Sequence, residues 1–209
     1  MNYPKVITLV VGSLKTNCYL IINKCSESII IDPGDDGEYI IQKITDNALT
    51  PRAIFLTHGH YDHVQAAAEL QLVYNIPVFL NSKDLFLYEK SPSTVTYFEK
   101  TKNTLVSKNI FPYQEKYLQT LKKFLFKVLE TPGHTPGSVS IHFPKRKILF
   151  VGDLVFSDAS LGSCIHKYSN INDLIKSVDY ITKLPQDTIL YSGHGTPSTI
   201  KTLKKLLIE

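Results

Sequence analysis

Cysteine is scarce in this 209-residue chain and is not arranged to hold a metal. Cys18, Cys25 and Cys164 are odd in number and show no CxxC spacing, which excludes a cysteine-zinc module and points to a reducing cytoplasm. The opening MNYPKVITLVVG lacks the basic start and long apolar stretch of a signal peptide. No apolar run approaches the ~18–20 residues needed to span a bilayer, so neither a membrane span nor a membrane partner is expected. Concentrated positive charge is missing too. The net charge is +4, but the lysines fall into small clusters at Lys122-Lys123, Lys145-Arg146-Lys147 and Lys201, Lys204 and Lys205. A nucleic-acid partner is therefore not expected. Low-complexity tracts, short repeats and linkers are absent. With 43% apolar and 20% charged residues the chain is not disordered, and a single domain over 1–209 is expected.

What is present reads as strands and helices in two halves. Short strands are predicted at Val6 to Val11, Cys18 to Ile22 and Ser28 to Asp32, the last ending in the turn DPGDDG. A helix over Glu38 to Ile44 and a buried strand over Arg52 to Leu56 follow. Val64, Ala67, Ala68, Leu70 and Tyr74 have the spacing of one amphipathic helix from Asp62 to Tyr74, with Asp62 as its cap. After the strand IPVFL, Ser82 to Glu89 reads as helical, whereas Ser91 to Tyr117 shows no sustained period; residues 82–121 are the candidate lid or insertion. Their Tyr88, Tyr97, Phe98, Tyr113 and Tyr117 could offer a substrate surface. The second half is read as strands at Phe124 to Glu130, Ser138 to Phe143 and Lys147 to Val151, a helix over Asn172 to Lys183, a strand at Thr188 to Tyr191 and a closing helix from Pro197 to Ile208.

Five of the seven histidines lie in or beside glycine-containing turns that follow a predicted strand. FLTHGHYDHV carries His58, His60, Asp62 and His63; ETPGHTPGS carries His134; LFVGDL carries Asp153; LYSGHGTP carries His194. Strand ends at one edge of a sheet are where α/β proteins build sites. Imidazole and carboxylate are ligands of first-row transition metals, and a single open tetrahedral site needs only three of them. Five histidines and two aspartates suit two ions sharing a carboxylate. His142 alternates with Ile141 and Phe143 and is expected to face solvent.

With these motifs assembled, the chain resembles the metallo-β-lactamase fold superfamily, and within it the small hydrolases grouped with glyoxalase II (hydroxyacylglutathione hydrolase). The resemblance runs from GSLKTNCYLI and IIIDPGD through the histidine motif and TPGHTPGS to LFVGD and SGHG. It implies an α/β fold, a four-layer αββα sandwich. It also implies two divalent ions, zinc first, with iron or manganese as alternatives. His58, His60 and His134 would ligate the first ion, Asp62, His63 and His194 the second, and Asp153 would bridge them. Asp32 matches the family's acid that braces the histidine loop, although in DPGD it also reads as a turn residue. The chemistry implied is hydrolysis of a thioester or related ester of a small-molecule substrate by a hydroxide bridging the metals, with Asp62 orienting it as a catalytic residue.

True β-lactamases of this fold typically carry cysteine or serine where Asp153 stands, which tilts the resemblance toward the thioesterases and a glutathione thioester. Two departures bear on glutathione. Ser163 and Ile165 stand where many bacterial relatives carry arginine and aspartate, and only fifteen residues follow His194, too few for the helical extension that helps larger relatives bind glutathione. Lys167 and Tyr168 fall in a loop expected near the site and are the candidate substrate contacts. Two other activities occur on the same motif. One is a persulfide dioxygenase with a single iron, for which His58, His134 and Asp153 would suffice; the other is an RNA-cutting or RNA-binding role.

Overall fold

The computed structural model describes residues 4–100, 105–107 and 109–208 and divides the chain into two compact units, Met1–Phe124 and Leu125–Glu209. In the first, β1 (Lys5–Val11), β2 (Thr16–Ile22), β3 (Glu27–Ile31), β4 (Thr50–Phe55), β5 (Val78–Phe79) and β6 (Ile110–Phe111) form one sheet in chain order. The pairs β1–β2 and β2–β3 are antiparallel, and those from β3 through β6 are parallel. Every residue of β2 and β3 is buried, as expected of strands covered on both faces.

Helix α1 (Gly37–Asp46) inserts Ile40 and Ile44, one turn apart, into the core with Leu20, Ile30 and Ile54. The helix expected from Asp62 to Tyr74 is instead two, α2 (Tyr61–Val64) and α3 (Ala67–Tyr74). The break has a cause: the N–H groups of Gln65 and Ala66 are diverted to the carbonyls of Gly34 and Pro33. Asp62 is consequently inside α2 rather than its cap, and its carboxylate is released for other contacts.

Residues 82–121 are also more regular than their sequence suggests. They contain α4 (Leu85–Glu99), β6 and α5 (Glu115–Leu118), while residues 101–104 and 108 of this segment lie outside those described. Pro92 and a run of Ser and Thr hide α4 from propensity. Ser93, Thr94 and Thr96 turn their hydroxyls back onto helix carbonyls. Its buried face, Tyr88, Ser91 and Val95, does have helical spacing, but with a serine at its centre.

In the second unit β7 (Lys127–Glu130), β8 (Val139–Phe143), β9 (Ile148–Gly152), β10 (Ile189–Ser192) and β11 (Ser198–Thr199) give the sheet order β11-β10-β9-β8-β7. Its helices are α6 (Ile171–Thr182) and α7 (Ile200–Leu206). Asn170 caps α6 by accepting from the N–H groups of Asn172 and Asp173, and Leu174, Val178 and Ile181 enter the core with Leu149, Leu190 and Leu203. The strand expected from Phe124 begins only at Lys127, and the closing helix begins at Ile200 after the short β11. His142 is buried, not solvent-facing, because both faces of β8 are covered; burial first, then Lys127 opposite it, push its imidazole pKa down.

Both units repeat one plan. An antiparallel three-strand meander, β1-β2-β3 or β7-β8-β9, is followed by a helix and a strand parallel to the third, β4 or β10. Asp32 and Asp153 follow the third strands; His58 and His194 follow the fourth.

One ionic cluster of the first unit predicts an acid response. Glu27 accepts hydrogen bonds from Lys123 at 2.6 Å, Asn23 at 2.8 Å and Arg52 at 2.9 Å. The Lys123 bond is the main cause that brings its carboxyl pKa from 4.5 down to about 2. A lowered carboxylate pKa stabilises the fold fully above the unfolded value, and that contribution is lost as pH falls through the folded one. Glu27→Gln should therefore flatten the fall in unfolding free energy between pH 4.5 and about 2. Urea titrations across that range would read the slope, and an unchanged slope would show that the cluster has no such role.

Candidate metal centre

The expected site residues fall into two sets, Asp32, His58, His60, Asp62 and His63 in the first unit and His134, Asp153 and His194 in the second. In the first, β4 ends at Phe55 and delivers Thr57 to His60 as a turn, with His58 and His63 buried and His60 and Asp62 half-buried.

Two buried carboxylates hold this turn. Asp32, itself in the left-handed region at φ 48°, accepts from the Thr57 N–H at 2.7 Å and the Thr57 hydroxyl at 2.6 Å, and it lies 3.0 Å from His63 Nδ1. Asp84, fully buried, accepts from the Gly59 N–H at 3.0 Å. Asp32 is thus a brace and not merely a turn former. Asp84 was not legible in the sequence, since an acid just before a helix reads as a first-turn residue. Close approach also requires glycine at two positions: a Cβ on Gly34 would stand 1.8 Å from the Asp62 carbonyl oxygen, and one on Gly162 1.7 Å from that of Asp153.

These contacts fix which ring nitrogens are available. A carboxylate only accepts, so His63 carries its proton on Nδ1 and presents the Nε2 lone pair. The Thr57 hydroxyl spends its one proton on Asp32, so its oxygen accepts from His58 Nδ1 at 3.1 Å, and His58 likewise presents Nε2. In the second unit His134 Nδ1 is 2.8 Å from the Ser163 carbonyl, with the same consequence. A neutral imidazole oriented through its other nitrogen is the form a metal binds.

The spacing of donor atoms fits divalent ions. Donors on one tetrahedral ion with bonds of about 2.0–2.1 Å stand roughly 3.3 Å apart. His58 Nε2 and His60 Nδ1 are 3.2 Å apart, and His63 Nε2 and Asp62 Oδ2 are 3.5 Å apart. Thr16 donates to that same Asp62 oxygen at 3.1 Å. In the second unit Asp153 Oδ2 lies 3.9 Å from His134 Nε2 and 3.6 Å from His194 Nε2, so one carboxylate oxygen faces both imidazoles.

Lys167 and Tyr168 lie in the loop that encloses His134. Ser169 Oγ donates to the His134 carbonyl at 2.8 Å and the Asn170 N–H to that of Gly133 at 2.8 Å. Lys167 is exposed and Tyr168 stacks on His166. Ser163 serves this loop through its main-chain carbonyl, and Ile165 is exposed. Neither Cys18 nor Cys164 is prepared as a nucleophile. Burial pushes both thiols up, with the Asp32 charge adding to the effect at Cys18. A cavity of about 580 Å³ lined by Thr50, Arg52, Tyr74, Leu121 and Lys123 is at the opposite end of β4 and takes no part in this centre.

Among the described residues no helix is long and apolar enough to cross a membrane. The family model "Metallo-beta-lactamase superfamily" matches residues 11–194. The chain is 32% identical to hydroxyacylglutathione hydrolase GloC of Haemophilus influenzae over 93% of its own length and 92% of that protein's. It is similar in structure to TTHA1623 in a di-iron-bound form, with a TM-score of 0.86 and 32% identity over 96% of this chain and 97% of that one. BLEG-1 B3 metallo-β-lactamase is similar as well, with a TM-score of 0.84 and 31% identity over 96% and 97%. With its two meander-and-helix units, its His/Asp clusters and these likenesses, the chain belongs to the metallo-β-lactamase superfamily of metal-binding hydrolases and has its α/β fold.

Proposed function

We propose that the protein is a dinuclear metal-dependent thioesterase acting on a hydroxyacyl-glutathione thioester or a closely related ester, with residues 1–209 working as one domain. The observation that carries the reading is Asp153, whose single Oδ2 faces the Nε2 atoms of both His134 and His194. An acid so placed suits a carboxylate shared by two ions. The likeness to the Haemophilus influenzae hydrolase over nearly the full length of both chains supports the substrate class.

His58, His60 and His134 would hold one ion, Asp62, His63 and His194 the other, and Asp153 both. Zinc is the first candidate, and the di-iron form of a similar structure makes iron the second. Bound divalent ions supply Lewis acidity, which brings the pKa of water from about 15.7 toward ~7 and polarises a carbonyl. The chain's own part is to position and to move protons. Asp62, steadied by Thr16, orients the attacking water and takes its proton. Asp32 and the Ser163 carbonyl keep His63, His58 and His134 in their ligating tautomers. Lys167 and Tyr168 are the proposed contacts to an anionic substrate.

A second reading, lactam hydrolysis, has one observation in its favour, the likeness to a B3 metallo-β-lactamase. Metal-loaded protein assayed side by side on S-lactoylglutathione and a chromogenic cephalosporin separates the two. Thioester turnover at least about a hundredfold more efficient in kcat/KM, a gap of roughly 2.7 kcal/mol, is expected. The reverse order would assign the protein to lactams.

A further inference from the structure

Tyr61 separates His60 from Asp62 in the histidine turn, and its ring stacks on that of Phe98 with centroids 6.0 Å apart and planes within 5°. Phe98 in turn meets Tyr97 edge-on at 4.9 Å. Both α4 rings are conspicuously open for their size, Phe98 being 65% and Tyr97 78% exposed. The helix beneath them is anchored. Tyr88, Ser91 and Val95 are buried in the first unit, and Ser13 Oγ donates to Glu99 at 2.8 Å beside the β1–β2 turn. The rings are therefore held on a regular element, continuous with the metal-loop tyrosine, and not on a loose loop. A contiguous aromatic surface of this kind is a candidate contact site, and it begins at the residue that stands between two proposed metal ligands.

The surrounding charge selects what it takes. Glu99 and the exposed Lys100 follow the rings in the chain, and Asp35 and Asp36 lie at the neighbouring turn with the exposed Lys15, where Asp36 accepts from the Gly12 N–H at 2.9 Å. Such a mixed rim concentrates no positive charge to hold the carboxylates of a glutathione moiety and leaves an uncharged group as the better occupant. We infer that Tyr97 and Phe98 form, with Tyr61, an aromatic subsite that receives the uncharged aryl or alkyl acyl group of the thioester, an inference that rests on the thioesterase reading above. Specificity would then favour acyl groups with a ring or chain over acetyl.

The test compares wild type with Tyr97→Ala/Phe98→Ala and with Phe98→Leu, all as full, metal-loaded chains with metal content and circular dichroism recorded. The ratio of kcat/KM for phenylacetyl-glutathione over acetyl-glutathione should fall about tenfold or more in the double variant, through KM, with Phe98→Leu intermediate. An unchanged ratio overturns the inference. So does a wild type that is dimeric while the double variant is monomeric, because the rings would then be an interface between copies. If wild type hydrolyses no thioester, the thioesterase reading fails by itself, and calorimetric titration with the uncharged phenylacetamide and acetamide decides the subsite. A roughly tenfold preference for phenylacetamide that disappears in the double variant sustains it; equal affinities in wild type refute it.

Discussion

Asp153→Ala should reduce thioester hydrolysis by about a thousandfold and halve the metal bound per chain. The size follows from comparison with more remote groups: partners one hydrogen bond away from a metal typically cost 10–100-fold in affinity or activity, so a ligand shared by two ions, as proposed for Asp153, would cost more. Its oxygen stands 3.6 Å from His194 Nε2 and 3.9 Å from His134 Nε2. Alanine also leaves the backbone free to keep its course, since Gly152 already supplies the left-handed turn at φ 54° and Gly162 the close approach to the Asp153 carbonyl. Asp153→Asn separates charge from shape. It preserves volume and one acceptor oxygen, yet activity is expected to stay within about tenfold of the alanine variant, because in the proposed centre the anionic charge is what two cations would share. Steady-state kinetics and metal analysis on both variants check this; an Asp153→Ala protein with near wild-type turnover would remove the shared carboxylate from the mechanism.

Asp32→Ala is expected to be the most destabilising single change in the histidine loop. Asp32 is 1% exposed and gathers three contacts, from the Thr57 N–H, the Thr57 hydroxyl and His63. Removing a buried charged acceptor strands those groups and costs about 3–5 kcal/mol. In a chain of this size that lowers the melting temperature by roughly 10 °C, measured with chelator present so that metal loss does not contribute. Metal affinity should also fall, because a freed Thr57 hydroxyl no longer dictates the His58 tautomer and His63 loses its orientation; one substitution thereby loosens a proposed ligand of each ion. A melting temperature within about 2 °C of wild type would mean that the turn stands without its brace.

Much of this was written locally in the chain. The strands β2, β3, β4 and β9 are legible through their buried runs Cys18 to Ile22, Ile29 to Ile31, Ala53 to Phe55 and Ile148 to Val151, which are almost wholly apolar. The metal-ligating types are legible because three histidines and an aspartate within six positions have few other uses. What the sequence concealed depends on distant partners. The helix break at Gln65 and Ala66 comes from carbonyls at Pro33 and Gly34, some thirty residues earlier. Asp84 braces Gly59 across 25 positions, and Ser163 acts on His134 across 29 through a main-chain atom that any residue would supply. His142 looked polar and therefore exposed, yet β8 is covered on both faces. The α4 helix was obscured by Pro92 and hydroxyl side chains whose hydrogen bonds fold back on the helix itself.

The sharing of two ions by one carboxylate is tested most directly by metal stoichiometry. Protein stripped with chelator would be titrated with zinc and, separately, ferrous iron, while bound metal and S-lactoylglutathione hydrolysis are followed in the same samples. Saturation at about two ions per chain, with hydrolysis rising to completion only as the second is bound, is the expected result. Saturation at one iron per chain, accompanied by thiol-dependent oxygen uptake and no thioester hydrolysis, would contradict it.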